Sequence, residues 1–381
     1  MRRPKILLGV TADVSIGLMD GLPQYMAGQG WDVHVVSGGG PRSDALRDSA
    51  YVTVHEISMR RDPAPVDDMR SLVRWIRLLR SVRPDLVSVG TPKAGLLGSV
   101  AGWLTRTPAR VYLLRGLRYE TTKGPKRLML KMLERISVGA SHSVVAVSDS
   151  LRQVAVADSL GAQAKFTVLG PGSSNGVDVQ RFTVTPQERT AAQVAHSDIS
   201  PVIGFIGRIH PDKGLDLLAQ AAEILAERGV VGQLLVVGDS DDPAGETLKS
   251  RLRRSSWPVT LTGPLKDVSS ALERMDLLCL PTLREGFPNV VLEAAAAGIP
   301  TVATAATGVP DAIDDGVTGL VSPNRDPETL ANLLASLAES PAARTEMGEA
   351  ARERVERLFT RPEIWSRTES YYASFLGRSH G

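Results

Sequence analysis

Short apolar runs rich in β-branched residues alternate along this chain with segments of helical periodicity. The alternation predicts parallel sheets, because parallel strands are joined by crossover helices in βαβ units. In the first half, we expect strands at residues 5–10, 31–37, 52–57, 86–89, 111–114 and 143–147. In the second half, we expect them at residues 202–206, 233–237, 259–261, 277–280 and 300–303. The pattern indicates an α/β protein with two Rossmann-like domains in tandem.

The length of 381 residues also favours two domains, since single hydrophobic cores stop growing near about 250–300 residues. A stretch rich in Gly, Pro and Ser at residues 170–176 precedes a polar segment, and a strand restarts after Pro201. We therefore predict one domain over residues 1–180 and a second over residues 181–361. The remaining residues, 362–381, are predicted to form a helix that packs back toward the first domain.

Composition restricts the cellular setting. The fractions of 43% hydrophobic and 23% charged residues are those of an ordinary globular protein. Cys279 is the only cysteine, so no intramolecular disulfide can form and a reducing compartment is expected. The apolar stretch after the first residues is too short for a signal sequence, and no apolar run is long enough to span a bilayer. We expect a cytoplasmic protein.

The formal net charge of +2 conceals an asymmetry between the two halves. Residues 1–185 carry 25 Lys and Arg against 15 Asp and Glu, whereas the remainder carries 19 against 27. A basic half is suited to anionic lipid, a phosphorylated acceptor or nucleic acid. The basic segments lack interleaved aromatic residues, which argues against nucleic acid.

Two carboxylates, Glu285 and Glu293, lie eight residues apart in the run EGFPNVVLE. The first is predicted on a loop containing Gly286 and Pro288, and the second about one turn into a helix that Gly298 terminates. A carboxylate accepts several hydrogen bonds and can take two from a vicinal diol. This spacing suits a polyhydroxylated ligand.

Two cations, Arg208 and Lys213, lie in the segment GRIHPDKG between a predicted strand and a predicted helix. Ligands of open α/β sheets bind beyond the carboxyl ends of the strands, and helix N-termini stabilise anions. Arg208 can bind phosphate oxygens in a bidentate manner, and Lys213 supplies a compact charge. On spacing alone, phosphate binding and a plain solvated loop are equally supported.

Together, these motifs resemble the retaining GT-B glycosyltransferases of family four, the group 1 glycosyltransferases. That family has a Gly-Arg-(Leu/Ile)-x-x-x-Lys-Gly loop and a Glu-x7-Glu motif in its C-terminal domain. Three further segments look like the family: Val147–Ser150, the linker motif Asn175–Asp178, and Val236–Asp239. The resemblance covers most of the chain and implies two Rossmann-like domains that face each other across a cleft. The N-terminal one would bind the acceptor, and the C-terminal one a nucleotide-sugar.

The resemblance also implies roles for individual residues. Arg208 and Lys213 would hold the donor diphosphate as catalytic residues, with Gly207 beside them. Glu293 would bind the ribose. Glu285, the third implied catalytic residue, would orient the donor sugar rather than act as a nucleophile. The backbone of the next four residues, Gly286, Phe287, Pro288 and Asn289, would help it to do so. The implied reaction transfers a hexose or N-acetylhexosamine from a UDP-sugar with retention.

No metal or other cofactor is expected, because fixed cations and helix dipoles can stabilise the leaving diphosphate. Asp239-Ser-Asp-Asp242 has the Asp-x-Asp spacing that binds Mg²⁺ or Mn²⁺ in other glycosyltransferase folds. Here it coincides with a loop that the family resemblance already explains. A plain surface loop is therefore favoured.

Three residues of the first half are candidates for ligand contacts. Gly17 follows the first predicted strand and would let the backbone approach the donor or acceptor, although a simple turn before a helix is equally supported. Arg115 stands near a position where many family members have His before Gly. It cannot act as a base, since it stays protonated, and it is predicted to bind an acceptor phosphate or the donor sugar. Lys93 lies at a predicted helix start, in a segment similar to family members that extend polyprenyl-diphosphate-linked glycans. It is predicted to contact an acceptor phosphate, although an ordinary helix N-terminus is nearly as well supported.

Residues 123–135 mix cations with leucines and methionines, as in helices that lie in a membrane interface. Lys123, Lys126, Arg127 and Lys131 are the predicted membrane contacts. A second basic helix carries the apolar stripe Met69, Leu72, Val73, Ile76 and Leu79. For that helix we favour ordinary packing of the stripe on the sheet. We expect a peripheral protein on the inner face of the cytoplasmic membrane, acting on a polyprenyl-diphosphate-linked glycan in capsule or exopolysaccharide assembly.

Two other classes of function use the same fold. One is an epimerase or other nucleotide-sugar enzyme, and the other is a nucleotide-sugar-binding protein without transferase chemistry. An NAD-dependent enzyme is disfavoured, because no Gly-x-Gly-x-x-Gly follows the first strand of either half. Donor turnover separates these classes, since only a transferase releases nucleoside diphosphate in an acceptor-dependent manner.

Overall fold

A computed structural model describes residues 2–49, 51–60, 64–199, 201–240 and 242–377. The chain divides into two compact units. The first comprises Met1–Asn175 and Pro362–Gly381, and the second comprises Gly176–Arg361. The boundary predicted at residue 180 thus lies inside the second unit.

Within the described residues, the first unit contains a seven-stranded parallel sheet. Its strands are β1 (Lys5–Gly9), β2 (Asp32–Ser37), β3 (Val52–Glu56), β4 (Leu86–Gly90), β5 (Ala109–Leu114), β6 (Ser143–Ala146) and β7 (Phe166–Val168). Their spatial order is β3-β2-β1-β4-β5-β6-β7, with register Ile6↔Val33 and Ile6↔Leu86 at the centre. The order reverses at β1, which is where ligands bind in open α/β sheets.

Helices cover both faces of this sheet. They are α1 (Leu22–Gly28), α2 (Pro41–Arg47), α3 (Pro65–Val82), α4 (Pro92–Leu104), α5 (Gly124–Ala140) and α6 (Asp149–Ala157). On one face, the fully buried Trp75 of α3 packs with Leu7, Val89 and Leu97. On the other face, Met26 of α1 packs with Ile6.

The second unit contains a six-stranded parallel sheet within its described residues. Its strands are β8 (Val202–Ile206), β9 (Gln233–Val237), β10 (Val259–Gly263), β11 (Leu277–Leu280), β12 (Thr301–Thr304) and β13 (Gly319–Ser322), in the order β10-β9-β8-β11-β12-β13. Its helices are α7 (Val179–Phe182), α8 (Pro186–Ala195), α9 (Leu215–Glu227), α10 (Pro243–Leu252), α11 (Ser269–Leu272), α12 (Asn289–Ala296), α13 (Val309–Ala312), α14 (Pro327–Ala338) and α15 (Pro341–Leu358). The core packs Phe205, Leu218 and Leu334 against the buried Cys279. Burial raises the pKa of the Cys279 thiol, so this cysteine is a structural apolar residue.

The last helix, α16 (Arg361–Ala373), belongs almost wholly to the first unit. Its Tyr372 is buried, and the hydroxyl groups of Tyr372 and Ser88 lie 2.7 Å apart. Trp365 Nε1 donates to Asn175 Oδ1 at 2.8 Å, and Trp31 Nε1 donates to Glu369 Oε1 at 3.1 Å. The helix therefore completes the core on one face of the first sheet.

The prediction of an α/β protein with two parallel sheets is confirmed, and every predicted strand is present. Two edge strands, β7 and β13, were not predicted, because both are short and lack a continuous apolar run. None of the described helices is long and apolar enough to cross a bilayer.

The packing predicted for α3 is partly wrong. Leu79 is buried and Leu72 and Ile76 are partly buried, but Met69 and Val73 face solvent, with 61% and 37% of their surface exposed. The buried Trp75 determines which side of the helix meets the sheet, and it places residues 69 and 73 away from it.

Candidate active site

The segment that carries Arg208 joins β8 to α9 at the carboxyl end of a central strand. At this edge the ends of β8 and β9 approach closely: Gly207 N donates to Val237 O at 3.0 Å. Gly238 has φ +139°, and a Cβ at that position would collide with the carbonyl oxygen of Gly207. Glycine at 238 therefore keeps the two strand ends together and leaves their backbone open to a ligand.

A surface cavity of about 390 Å³ opens beside these strand ends. Gly207, Arg208, Gly238 and Ser240 line one side, and Pro264, Leu265 and Val268 line the other. The Arg208 side chain is one-third exposed, so its guanidinium remains accessible to an anion. Polar backbone, a cation and an apolar wall are the features of a site for a charged ligand with a flat apolar part.

Asp212 connects the Arg208 segment to the loop that precedes Glu285. Its buried carboxylate accepts a hydrogen bond from Arg284 Nη2 at 3.0 Å, contacts His210 Nδ1, and lies 3.7 Å from Arg208 Nη2. Its carbonyl oxygen accepts from Leu283 N at 2.9 Å. Burial alone would raise the pKa of the Asp212 carboxyl. The charge of Arg284 and the hydrogen bond from His210 outweigh burial, and the pKa is lowered.

Lys213 and Glu285 meet directly across these two loops. Lys213 Nζ donates to Glu285 Oε1 at 2.5 Å, and both side chains are mostly buried. Glu285 N in turn donates to Thr307 O at 3.0 Å. Arg208, Lys213 and Glu285, predicted from separate motifs, thus belong to one connected cluster.

The backbone after Glu285 is held close to a neighbouring loop. Gly308 has φ +84°, and a Cβ there would lie 2.5 Å from the carbonyl oxygen of Gly286. Phe287 is buried, and its ring centroid lies 5.5 Å from that of Phe359. Asn289 begins α12, and its Oδ1 is buried with no hydrogen-bond partner among the described residues. An unpartnered buried acceptor at this place is available to a hydroxyl donor. Pro288, predicted in the first helical turn, caps α12 at its N-terminal side.

Glu293 is the fifth residue of α12 and is mostly buried. Burial raises the pKa of its carboxyl, while the charges of Arg181 and Arg361 oppose the shift. The Arg181 guanidinium itself lies 3.3 Å from Asp267. Glu293 is thus placed among cations, separately from the Lys213–Glu285 pair.

In the first unit, Gly17 lies in a 3₁₀ segment, Asp13–Met19, that follows β1. A Cβ at this position would lie 2.8 Å from Arg42 Nη1. Arg42 is an exposed, flexible side chain that could shift away, so this contact alone does not require glycine at position 17.

Arg115 directly follows β5, beside the end of β4. A Cβ on Gly90 would lie 3.0 Å from its Nε, and Nε and Nη1 have no hydrogen-bond partner among the described residues. Burial lowers the pKa of Arg115 to about 10, against a smaller opposing influence of Tyr372. A guanidinium with unused donors at the carboxyl edge of the sheet is suited to binding an anion.

Lys93 and Lys131 form ion pairs inside the first unit. Lys93 is 9% exposed and donates to Asp68 Oδ2 at 2.6 Å, linking α4 to α3. Lys131 donates to Asp158 Oδ1 at 2.7 Å. A carboxylate at this distance occupies an ammonium, and removing either partner would leave a poorly solvated charge. The predicted contacts of Lys93 with an acceptor and of Lys131 with a membrane stay predictions, and the proposals below do not depend on them.

The other predicted membrane contacts are exposed on or beside α5. Lys123, Lys126 and Arg127 all face solvent, and the guanidinium of Arg127 lies 6.0 Å from the ring centroid of Tyr119. They remain accessible to an anionic surface.

The Asp-x-Asp segment has protein partners at the positions that are described. Asp239 accepts from Lys249 at 2.7 Å, and Asp242 caps α10 by accepting from Gly245 N at 2.7 Å. Asp241 lies outside the described residues. Across the described ranges, no group of three His, Cys, Asp or Glu side chains is arranged to hold a metal ion.

Several residues of this site were not predicted. Asp212, Arg284 and His210 lie inside or next to the motifs, but their mutual contacts join residues up to 72 positions apart. Pro264 and Leu265 line the cavity because β10 lies next to β9 in the sheet. The sequence signal that could have identified these two lining residues is the alternation of polar and apolar residues at the end of β10. By itself, that signal is weak.

Comparison with solved structures places both units in a known class. The structure of Anabaena Alr3699/HepE in complex with UDP and glucose has a TM-score of 0.79 and 18% identity, covering 98% of this chain and 100% of that one. Sucrose-phosphate synthase from Thermosynechococcus elongatus has a TM-score of 0.80 and 19% identity, covering 99% and 100%. The fold is that of GT-B glycosyltransferases.

Sequence comparison gives the family. The model "Glycosyl transferase 4-like domain" matches residues 21–172, and "Glycosyl transferases group 1" matches residues 200–340. The capsular polysaccharide biosynthesis glycosyltransferase CapM of Staphylococcus aureus is 35% identical over the full length of both chains. The UDP-Gal:alpha-D-GlcNAc-diphosphoundecaprenol alpha-1,3-galactosyltransferase of Escherichia coli is 25% identical over 71% of this chain and 70% of its own. This chain belongs to the group 1 glycosyltransferases and is a glycosyltransferase.

Proposed function

We propose that this enzyme transfers a hexose or N-acetylhexosamine from a UDP-sugar to a glycan carried on polyprenyl diphosphate, with retention of anomeric configuration. The observation that carries the proposal is the connected cluster of Arg208, Asp212, Lys213 and Glu285 at the carboxyl end of β8. Arg208 lines a cavity with an apolar wall, and Asp212 connects its segment to the loop that carries Glu285. A nucleotide-sugar offers the complementary diphosphate, hydroxyls and base.

Each residue has a distinct role in this proposal. Arg208 and Lys213 bind the donor diphosphate, and Pro264 and Leu265 pack against the base. Glu293 accepts hydrogen bonds from the ribose hydroxyls. Glu285 accepts from hydroxyls of the donor sugar, and the backbone from Gly286 to Asn289 positions that sugar.

The proposed step needs no nucleophile from the enzyme. The acceptor hydroxyl oxygen bonds to the anomeric carbon on the face from which UDP departs, and the bond between that carbon and the phosphate oxygen breaks. The electron pair of that bond leaves on the β-phosphate, which also receives the hydroxyl proton. Arg208 and Lys213 stabilise the negative charge that develops on the diphosphate. No metal enters this step, so turnover is expected to persist in excess EDTA.

The acceptor is proposed from the first unit and from the relatives. Arg115, with unused donors at the carboxyl edge of the first sheet, is suited to a diphosphate on the acceptor. The S. aureus relative is named for capsular polysaccharide biosynthesis, and the E. coli relative for a diphosphoundecaprenol acceptor. We therefore propose a role in capsule or exopolysaccharide assembly at the inner face of the cytoplasmic membrane, with Lys123, Lys126 and Arg127 near the lipid.

The test incubates the enzyme with UDP-glucose, UDP-galactose, UDP-GlcNAc or UDP-GalNAc and an extract of polyprenyl-linked glycans. The expected result is release of UDP only when the extract is present, together with a lipid-linked product heavier by one sugar. A change of the sugar without UDP release would instead identify an epimerase. Donor binding with neither outcome would identify a binding protein.

A further inference from the structure

The outer surfaces of α3 and α5 expose apolar side chains that the fold leaves uncovered. Leu128, Met132 and Ile136 form a stripe on α5, with 67%, 62% and 44% of their surface exposed. On α3, Val66, Met69 and Val73 form a second stripe. Isolated exposed apolar residues are ordinary, but two helical stripes on one side of a domain indicate an interaction surface.

Both stripes point to the same side of the first unit. α4 packs between the two helices: a Cβ on its Gly98 would lie 3.4 Å from the Trp75 ring of α3, and its Ser99 accepts from Ser141 just after α5. Glu134 of α5 and Gly95 of α4 both adjoin the side chain of Tyr112 in β5. The three helices therefore form one layer on one face of the sheet, with their outer faces away from it.

The charge of this layer is predominantly positive. Between residues 64 and 140, all of which the structure describes, the chain has 15 Lys and Arg and only five acids. Of these acids, Asp68 binds Lys93, Asp67 pairs with Arg60 and Arg70, and Glu134 is buried. The remaining two, Asp85 and Glu120, lie outside the three helices. Beyond the first turn of α3, no carboxylate is exposed on α3, α4 or α5.

Cations and apolar side chains interleave along α3. Arg70, Arg74 and Arg77 line a shallow groove of about 630 Å³ with Val66, Met69 and Val73. Long cationic side chains can reach lipid phosphates while their stems and the apolar residues enter the upper acyl region. Nucleic acid would not cover the aliphatic stripe, and a second copy of the same face would meet like charge.

We propose that α3, α4 and α5 together form a docking face for an anionic lipid bilayer, with α3 as a principal contact. The proposal rests on the lipid-linked acceptor proposed above, and it extends the contact from the α5 segment to a whole layer. The first turns of α3 and α5 follow the carboxyl ends of their strands, the edge that also carries Arg115. A docked bilayer therefore lies next to the edge where the acceptor diphosphate would bind.

The test measures co-sedimentation of the full-length protein with vesicles of phosphatidylcholine alone, or of equal parts phosphatidylcholine and phosphatidylglycerol. Wild-type protein is expected to bind the phosphatidylglycerol vesicles, and less so at high salt. The double variant Arg74→Gln/Arg77→Gln is expected to bind about thirtyfold more weakly, at roughly fivefold for each arginine. Met69→Ser/Val73→Ser is expected to weaken binding as well.

The matched control is Arg253→Gln/Arg254→Gln, which removes the same charge from two exposed positions of the second unit and is expected to bind like wild type. Equal binding of wild type to both vesicles, or equal loss in the control, would overturn the proposal. So would a change of oligomeric state in the α3 variants with unchanged vesicle binding, which would make the face an interface between copies. Vesicle binding requires no catalysis, so failure of the proposed transfer reaction remains a separate result.

Discussion

Lys213 Nζ lies 2.5 Å from Glu285 Oε1, so the cation proposed for the donor diphosphate already holds the carboxylate proposed for the donor sugar. A diphosphate that binds Lys213 must compete with Glu285 for it. A complete nucleotide-sugar compensates for the lost ion pair. Its sugar hydroxyls can donate hydrogen bonds to the Glu285 carboxylate while Lys213 turns to the phosphate.

This competition predicts that Glu285→Gln strengthens the binding of UDP but lowers turnover. Without the carboxylate charge, Lys213 is freer, and UDP is expected to bind about two- to fivefold more tightly, the range of a partly screened ion pair. Turnover is expected to fall about tenfold or more, since a neutral amide accepts sugar hydroxyls less strongly. Calorimetric titration with UDP and steady-state kinetics measure the two effects. Weaker UDP binding in the variant would contradict the competition.

The variants Arg208→Ala and Lys213→Ala are each expected to lower kcat by about 10²–10³-fold, because each removes a fixed cation from the leaving diphosphate. Arg228→Ala is a suitable control, since Arg228 forms an exposed pair with Glu328 outside the cluster. Initial rates of UDP release measure the change. Near wild-type kcat in both site variants would refute the proposed diphosphate contacts.

Asp212→Asn is expected to loosen the connection between the two loops. The carboxylate that holds Arg284 and adjoins Arg208 would become neutral, so both cations would lose their interaction with its charge. We expect a loss of about 1–3 kcal/mol in the free energy of unfolding and a rise in the donor KM. Chemical denaturation and donor titration measure these separately. A normal KM in a destabilised protein would limit Asp212 to a structural role.

Two glycines with similar positive φ angles allow the cost of backbone strain to be separated from the cost of a steric collision. Gly308 and Gly298 have φ +84° and +68°, but only a Cβ at 308 meets another atom, the Gly286 carbonyl oxygen. Gly298→Ala is expected to cost about 1 kcal/mol through the left-handed backbone alone. Gly308→Ala is expected to cost more and to weaken UDP-sugar binding, because the loop after Glu285 must move. Equal donor affinity in the two variants would exclude this role for Gly308.

Glu134 is expected to make stability depend on pH. Its carboxylate accepts from Tyr112 Oη at 2.8 Å, and burial raises its pKa to about 7, from 4.5. Between pH 4.5 and 7 the folded state therefore holds a proton that the unfolded state has lost. The contribution of Glu134 to stability is fully present below pH 4.5 and is lost as pH rises toward 7. The loss amounts to at most about 3 kcal/mol.

Glu134→Gln keeps an acceptor for Tyr112 but cannot ionise. The variant is expected to match wild type at low pH and to exceed its stability at pH above 7. Urea unfolding at several pH values provides the comparison. Parallel stability curves for the two proteins would show that Glu134 does not titrate in this range.

The two sheets could be predicted from the sequence because the central strands are continuous apolar runs, such as Leu277–Leu280. Such short runs are stable only when they are buried in the core. The family resemblance also assigned Arg208 and Glu285 to one site, and the structure shows that their loops follow β8 and β11, which are neighbours in the sheet. The roles of these residues in donor binding stay predictions.

Pairings between distant charges could not be predicted in the same way. From the sequence, Lys93 is expected to be an exposed cation at the start of a helix. Only the packing of α4 on α3 brings it to Asp68. Likewise, Met69 and Val73 fit the apolar period of α3, and only the burial of Trp75 turns them outward. Helical period fixes which residues share a face but not which face meets the core.

The return of α16 to the first unit has a consequence for synthesis on the ribosome. Tyr372 fills a core whose strands are synthesised before the second unit, residues 176–361, which is continuous in sequence. The second unit can finish folding while the first still has an open face, and the nascent chain exposes that face until α16 emerges.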